Sequence, residues 1–221
     1  MVVTALFVKP RAGAPMVRVA ELAGARGRGL ADDANASASS PRHVLLASAG
    51  DLRALALPDD ALRANVVVDG SLDGVASGDV LHVGSLALRI TIRCDTCRRL
   101  DDERRGLAAQ VGARRGVLAR VICDGRATVG APVERGGQLP ALAASWHDRV
   151  RAIVRAIPRG HVMTYTGLAR AAGVQSVYCR ALPAVLRKVA APDVPVDRVV
   201  PGHARRDAVE WDASAFYAAD E

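Results

Sequence analysis

The residues best equipped for chemistry in this chain stand together in Arg93-Cys94-Asp95-Thr96-Cys97-Arg98-Arg99. Guanidinium charge beside a thiol favours the thiolate, the form that attacks electrophiles and ligates soft metals. The C-x-x-C spacing leaves several readings open: a reactive thiol, a redox pair, or two half-buried cysteines at a strand end. A thioredoxin-type pair would want a βαβ context, which is missing around Leu86 to Ile92. A zinc site would need two more ligands, and only Cys123 and scattered histidines remain, so no zinc is expected. A second chemistry is electrostatic. Between Arg149 and Arg206 eleven basic residues stand against two acidic ones, Asp193 and Asp197, in a chain whose net charge is +7. That is the footprint of phosphate binding on a helical domain, and equally the pattern of ordinary solvated arginines. Arginine content by itself carries no weight: only Lys9 and Lys188 are lysines, the skew a GC-rich genome gives any protein.

The elements that must hold these residues change character along the chain. Val2 to Val8, His43 to Leu46, Val66 to Val68, Val80 to Val83, Leu86 to Ile92 and Val117 to Cys123 read as strands punctuated by Gly, Asp and Pro. Asp124-Gly125 predicts a tight hairpin turn leading into Ala127 to Val129 as its partner. Short helices are expected at Gly50 to Ala56 and Asp101 to Val111. Many short strands of this kind suggest a barrel or sandwich. After Gly136-Gly137 the period becomes helical, with Val150, Ile153, Val154 and Ile157 at i, i+3, i+4, i+7 spacing. Helices at Trp146 to Ile157, Thr166 to Ala172 and Tyr178 to Val189, then an extended Val194 to Val200, outline a helix-turn-helix with a β wing.

The expected domains are 1–137, a linker at 138–145, a helical domain at 146–206 and an acidic tail at 207–221. At 221 residues the chain is long enough for two domains with cores of their own. No run approaches the ~18 unbroken apolar residues of a membrane span, and no secretory signal is visible, so no membrane partner is expected. Four cysteines are too few for a disulfide scaffold, which points to a reducing, cytoplasmic compartment.

Two resemblances sharpen this. Phe7-Val8-Lys9-Pro10, Gly29-Leu30-Ala31-Asp32-Asp33, Pro41-Arg42-His43-Val44, Leu62 to Gly70, Gly78 to Gly84, Leu88 to Cys97 and Arg115 to Val121 together resemble a MOSC domain. The resemblance implies a β-barrel-like fold with a functional cysteine, associated with sulfur transfer or with ligating molybdenum in a pterin cofactor. Cys94 matches that cysteine, as sulfur carrier or molybdenum ligand, and Cys97 the second one of small stand-alone members. Arg63 and Asn65 are the implied cofactor contacts. The chain departs from the family at Asp32-Asp33-Ala34-Asn35, where Gly-Asp-Arg-His is common, and at Arg63-Ala64-Asn65-Val66, where Arg-Glu-Asn-Ile is common.

The segment Val150 to Ala169, Gly173, Cys179-Arg180-Ala181-Leu182 and Val194 to Val200 resembles the DNA-binding half of O-6-alkylguanine-DNA alkyltransferases. Tyr165 matches the tyrosine that presses on the target nucleotide's backbone, Arg180 the arginine finger, and Arg198 the arginine of Pro-Cys-His-Arg-Val, and the resemblance implies that all three bind DNA. Val196 and Asp197 stand where that motif has its acceptor cysteine and histidine. Valine has no nucleophile, so no alkyl transfer is expected there. The module is similar to alkyltransferase-like proteins, which bind damaged DNA without repairing it. The sequence thus describes a mainly β MOSC barrel followed by a mainly α winged helix-turn-helix, with duplex DNA carrying modified guanine as the expected partner and a molybdenum cofactor as the expected barrel ligand. The alternative is a MOSC enzyme or sulfur carrier whose C-terminal domain is a structural or partner-binding appendage.

Overall fold

Runs of Val, Leu and Ile broken by Gly, Asp and Pro become strands because branched side chains suit a pleated, half-buried surface. The computed structural model describes residues 1–202 and 208–218. The chain forms two units, one of residues 1–37 and 42–141, the other of 38–41 and 142–221. Among the described residues, no helix is long and apolar enough to cross a membrane.

The first unit begins with β1 (Val3–Val8), β2 (Val17–Val19), β3 (Glu21–Ala25), β4 (Gly29–Leu30), β5 (Val44–Ser48) and α1 (Ala49–Ala54). It continues through β6 (Val66–Val68), β7 (Asp79–Val83), β8 (Leu86–Arg93), α2 (Arg99–Glu103), α3 (Leu107–Val111), β9 (Val117–Cys123), β10 (Gly125–Thr128) and β11 (Val133–Gln138). Eight strands make one sheet in the order β11-β7-β8-β9-β5-β6-β1-β2, with β5 and β6 parallel. A bridge between Val2 and Pro132 joins the starts of β1 and β11. Val3 N donates to Ala131 O at 3.0 Å beside it, so the sheet closes on itself.

Side chains alternate across this wall, as the two-residue strand period requires. Leu46, Val66, Val68, Leu88, Ile90, Val117, Ala119 and Val121 fill the interior. Their neighbours Leu45, Val67 and Leu118, with Ala5 and Phe7, face outward and are covered by Leu52 of α1, Leu100 of α2, and Leu107 and Val111 of α3.

Two sequence expectations fail here. β10 does not fold back on β9 as a hairpin; it pairs antiparallel with β3, from Gly125↔Gly24 to Thr128↔Glu21. The glycine of Asp124-Gly125 is required for close approach and not for a turn: a Cβ there would lie 2.3 Å from Ser85 O. Asp124 instead accepts from Arg26 N at 2.6 Å. The helix expected over Asp101 to Val111 is also two helices, because Arg104 adopts φ −155, ψ 124 between them.

The second unit contains α4 (Trp146–Ala156), β12 (His161–Thr164), α5 (Tyr165–Ala171), a 3-10 turn at Ser176–Ala181, α6 (Leu182–Val189), β13 (Val199–Val200), β14 (Val209–Glu210) and α7 (Ser214–Ala218). Ser145 caps α4 by accepting from His147 N, and Thr164 caps α5 by accepting from Gly167 N. Val150, Ile153 and Val154 of α4 pack against Leu168 of α5 and against Leu182, Val185, Leu186 and Val189 of α6. The helix expected over Tyr178 to Val189 is therefore a 3-10 turn followed by α6, with Pro183 in the first turn of α6, where no backbone donor is lost. Val194 to Val200 is not extended throughout. Arg198 N donates to Pro195 O at 3.0 Å, which winds Val196–Arg198 into a 3-10 turn before the two-residue β13.

The tail caps this unit. β14 pairs with β12, Tyr217 is 1% exposed, and its hydroxyl donates to Ala171 O. Arg205, Arg206, Asp207, Asp220 and Glu221 lie outside the described residues.

Candidate functional site

Cys94 owes its direction to a register shift. Leu86, Leu88 and Ile90 point into the barrel, and unbroken alternation would send Ile92 and Cys94 there too. The pairing of β8 with β9 slips between Ile90 and Ile92. A bulge re-aims the side chains beyond it, and both residues end on the outer face, in the cluster with Ala5, Phe7, Leu62 and Leu100. Cys94 N donates to Gly116 O at 3.0 Å. Gly116 is glycine by necessity, with φ +103 and a hypothetical Cβ 2.1 Å from Leu46 O. The Cys94 side chain is 6% exposed, with Arg42 Nη2 4.0 Å from its Sγ. Cys97, on the loop beyond, is half-buried.

Around this thiol the fold gathers positive charge that the C-x-x-C motif does not announce. Lys9, at the end of β1, loses affinity for its proton through burial, opposed by Asp33 and reinforced by Arg63, Arg99 and Arg42. The Arg63 guanidinium is likewise lowered, first by burial and then by Arg99. Arg63 holds a left-handed backbone, φ +54, a costly conformation for a side-chain-bearing residue that fixes where its guanidinium goes. It donates to Ala14 O and lines a cleft of about 720 Å³ together with Arg99, Arg104, Asp60, Asp102 and Glu103. The apolar part of that cleft, Met16, Leu57 and Leu107, belongs to the cluster that buries Cys94.

Asn65 is placed differently. It is 2% exposed; its Oδ1 accepts from Leu45 N at 3.0 Å, and its Nδ2 donates to Phe7 O at 3.2 Å and to Asp33 Oδ2 at 2.8 Å. Asp33 also accepts from Lys9 N at 2.9 Å. Asn65 and Asp33 thus tie β1, β5 and the Lys9 corner together, with both polar atoms of the Asn65 amide engaged in these internal bonds. The sequence nominates neither Lys9 nor Arg42 as a candidate site residue. The available signal was a lysine ending a buried strand in a chain with only two lysines.

His43, next to Arg42, is fully buried. Its Nδ1 accepts from Val121 N at 3.3 Å, and its Nε2 lies 2.8 Å from Ser37 O and 3.2 Å from Arg120 Nη1. Burial, and then Arg120, push its pKa down to about 4, so the ring is neutral at pH 7. Among the described residues no three His, Cys, Asp or Glu side chains come together as a metal cluster.

In the second unit Tyr165 opens α5 and Arg180 lies on the exposed 3-10 turn. Cys179 joins them: its Sγ donates to Tyr165 O at 3.8 Å. Two other arginines are used internally. Arg198 donates to Ile157 O at 2.6 Å, closing the end of α4. Arg149 is 7% exposed and donates to Ala172 O, Ala143 O and Ala144 O, each at 2.8 Å. Arg151, Arg155, Arg159, Arg170, Arg180, Arg187 and Lys188 remain exposed, with Arg155 paired to Asp193 at 2.6 Å. α6 buries Leu182, Val185, Leu186 and Val189 and turns Pro183, Ala184, Arg187 and Lys188 outward. Val196 is half-buried against the core and Asp197 exposed.

Residues 29–134 match the MOSC domain family, and residues 145–213 match the DNA-binding domain of 6-O-methylguanine DNA methyltransferase. Among solved structures, YiiM from Escherichia coli is 18% identical with a TM-score of 0.50, covering 83% of this chain and 92% of that one. YiiM from Geobacillus stearothermophilus is 14% identical with a TM-score of 0.50, covering 89% and 92%. A further structure, of a hypothetical protein, is 20% identical with a TM-score of 0.51, covering 83% and 89%. These likenesses concern the fold. Comparison with curated proteins gave no match.

Proposed function

Since the chain joins a MOSC domain to a DNA-binding domain of the 6-O-methylguanine DNA methyltransferase type, we propose that it binds duplex DNA at modified bases without transferring an alkyl group. The observation that carries this is the placement of Arg180 on an exposed turn, fastened through Cys179 to Tyr165. A planar cation held there suits insertion into a base stack, and Tyr165 would bear on the adjoining backbone. Val196 leaves the acceptor position without a nucleophile.

The barrel would contribute sulfur-linked or molybdenum-cofactor-linked chemistry. The residues present fit such a group in donor type and charge: Cys94, with Cys97 behind it, offers the sulfur ligand, and Lys9, Arg42, Arg63 and Arg99 offer cations for its anionic parts. A bound molybdenum cofactor would supply oxygen-atom or electron transfer. Cys94→Ser should abolish molybdenum retention in protein expressed with that cofactor available, as metal analysis would show. A cytoplasmic location goes with both halves of this reading.

The DNA assignment is tested by binding to matched duplexes with and without O-6-methylguanine across a salt series. About five phosphate contacts give a log–log slope of about −4.5. Arg180→Ala should erase most of the preference for the modified duplex, and Arg187→Ala should weaken both duplexes alike. Equal weakening of both by Arg180→Ala would reduce the unit to a non-specific tether. No binding by the parent would leave the barrel as the functional part.

A further inference from the structure

The 3-10 turn at Ser176–Ala181 presents more than its arginine. Val177 is 70% exposed and Tyr178 47% exposed, adjacent large apolar side chains in solvent. The core of this unit does not need them: α4, α5 and α6 close it with Val150, Ile153, Leu168, Leu182, Val185 and Leu186. Single exposed apolar residues are ordinary, but a neighbouring pair on a short turn calls for a partner. Nor is Tyr178 adrift, because its ring lies 5.9 Å from that of Trp146 at an interplanar angle of 51°. Trp146 is itself packed against the core. Tyr178 is therefore braced on one side and open on the other, and it loses little freedom on engaging a flat partner.

The surroundings identify that partner. Arg180 lies two residues on, with Arg187 and Lys188 exposed on the following α6 and Arg170 exposed at the end of α5. An apolar tip among cations meets an acidic polymer with apolar interior faces, which describes stacked bases between phosphates better than it describes a protein surface.

Resting on the DNA-binding reading above, we propose that Val177 and Tyr178 form an apolar wedge that enters the duplex beside Arg180. The wedge would make this unit select sites whose stacking is already weak. Arg180 supplies charge at the opened step, and Tyr178 covers the exposed face of a neighbouring base. Unstacking costs most at an intact step and least at a mismatched or base-free one, so the wedge favours distorted duplex before any lesion is read.

The test uses the full chain and three duplexes of one sequence: matched, G·T-mismatched, and carrying an abasic site, each with 2-aminopurine next to the central step. The parent should bind the abasic duplex about tenfold tighter than the matched one and raise 2-aminopurine fluorescence. Tyr178→Ala should lose most of that preference and the fluorescence rise, keeping the salt slope set by the cations. Tyr178→Phe, which keeps the ring, should retain both, and Val177→Ala should reduce both partially. If Tyr178→Ala binds all three duplexes and unstacks them as the parent does, the wedge is wrong while DNA binding stands. If the parent binds none of them, both readings fall. If sedimentation shows a dimer of the parent that Tyr178→Ala dissociates, the apolar pair is a contact between copies and the wedge is overturned.

Discussion

In the barrel two of the residues that the sequence nominates are buried, Asn65 at 2% exposed and Cys94 at 6%. In the helical unit Arg180 is exposed and Tyr165 half-exposed, on elements whose apolar faces are already buried. The difference comes from what each would meet. A small ligand is held in a cleft whose walls must be fixed by internal polar bonds, so the same polar groups serve fold and site. A polymer docks on a surface, where a side chain can be given to the partner at little cost to the core.

The comparison breaks most readily at Asn65. Asn65→Ala strips a buried donor from Asp33, another from Phe7 O and an acceptor from Leu45 N. The expected loss is about 4 kcal/mol of barrel stability. Urea unfolding followed by barrel-specific hydrogen exchange should show this while the helical unit keeps its own midpoint. An unchanged barrel would mean that the buried polar ties are dispensable.

His43 gives the next effect. Its pKa is about 4 in the fold against about 6.5 unfolded, so below pH 6.5 the unfolded chain takes up a proton that the native ring refuses. Stability should therefore fall as pH drops from 6.5 to 4, by about 3 kcal/mol, and be flat above that range. His43→Gln should flatten the profile. A profile already flat in the parent would show that the ring is not kept neutral by Arg120 and burial.

Arg198 sharpens the contrast inside the helical unit. Nominated for DNA, it is spent on Ile157 O. Arg198→Ala should cost about 1 kcal/mol of stability and leave duplex affinity of the folded protein within about twofold, whereas Arg180→Ala should leave the melting temperature alone. The reverse pattern would return Arg198 to the interface.

These residues also mark what a sequence discloses. β9 is readable to its ends, Val117–Cys123, and α4 follows from its apolar period, because both depend on local pattern. The face of Cys94 does not, since it depends on a one-residue slip against β9. The partner of β10 is equally hidden: the need for Gly125 comes from Ser85, 40 positions away in the chain by the numbering and adjacent in space. Arg149 and Arg198 count as positive charge in any tally, and only the carbonyls they meet show that both also hold the fold together.

The seam that closes the barrel has a kinetic meaning. The amino group of Met1 donates to Val133 O across 132 positions of sequence, and Val2 bridges Pro132. A chain emerging from the ribosome cannot fasten this joint until nearly the whole barrel has been made, and contacts of such sequence separation form late and slowly. In the helical unit the described ties are shorter, 46 positions from Tyr217 to Ala171 and 41 from Arg198 to Ile157. While the joint is open, the start of β1 and the outer edge of β11 stay unpaired, the arrangement by which nascent chains capture one another. Closing this seam of backbone bonds between residues 1–3 and 130–133 is therefore the step that removes both edges at once.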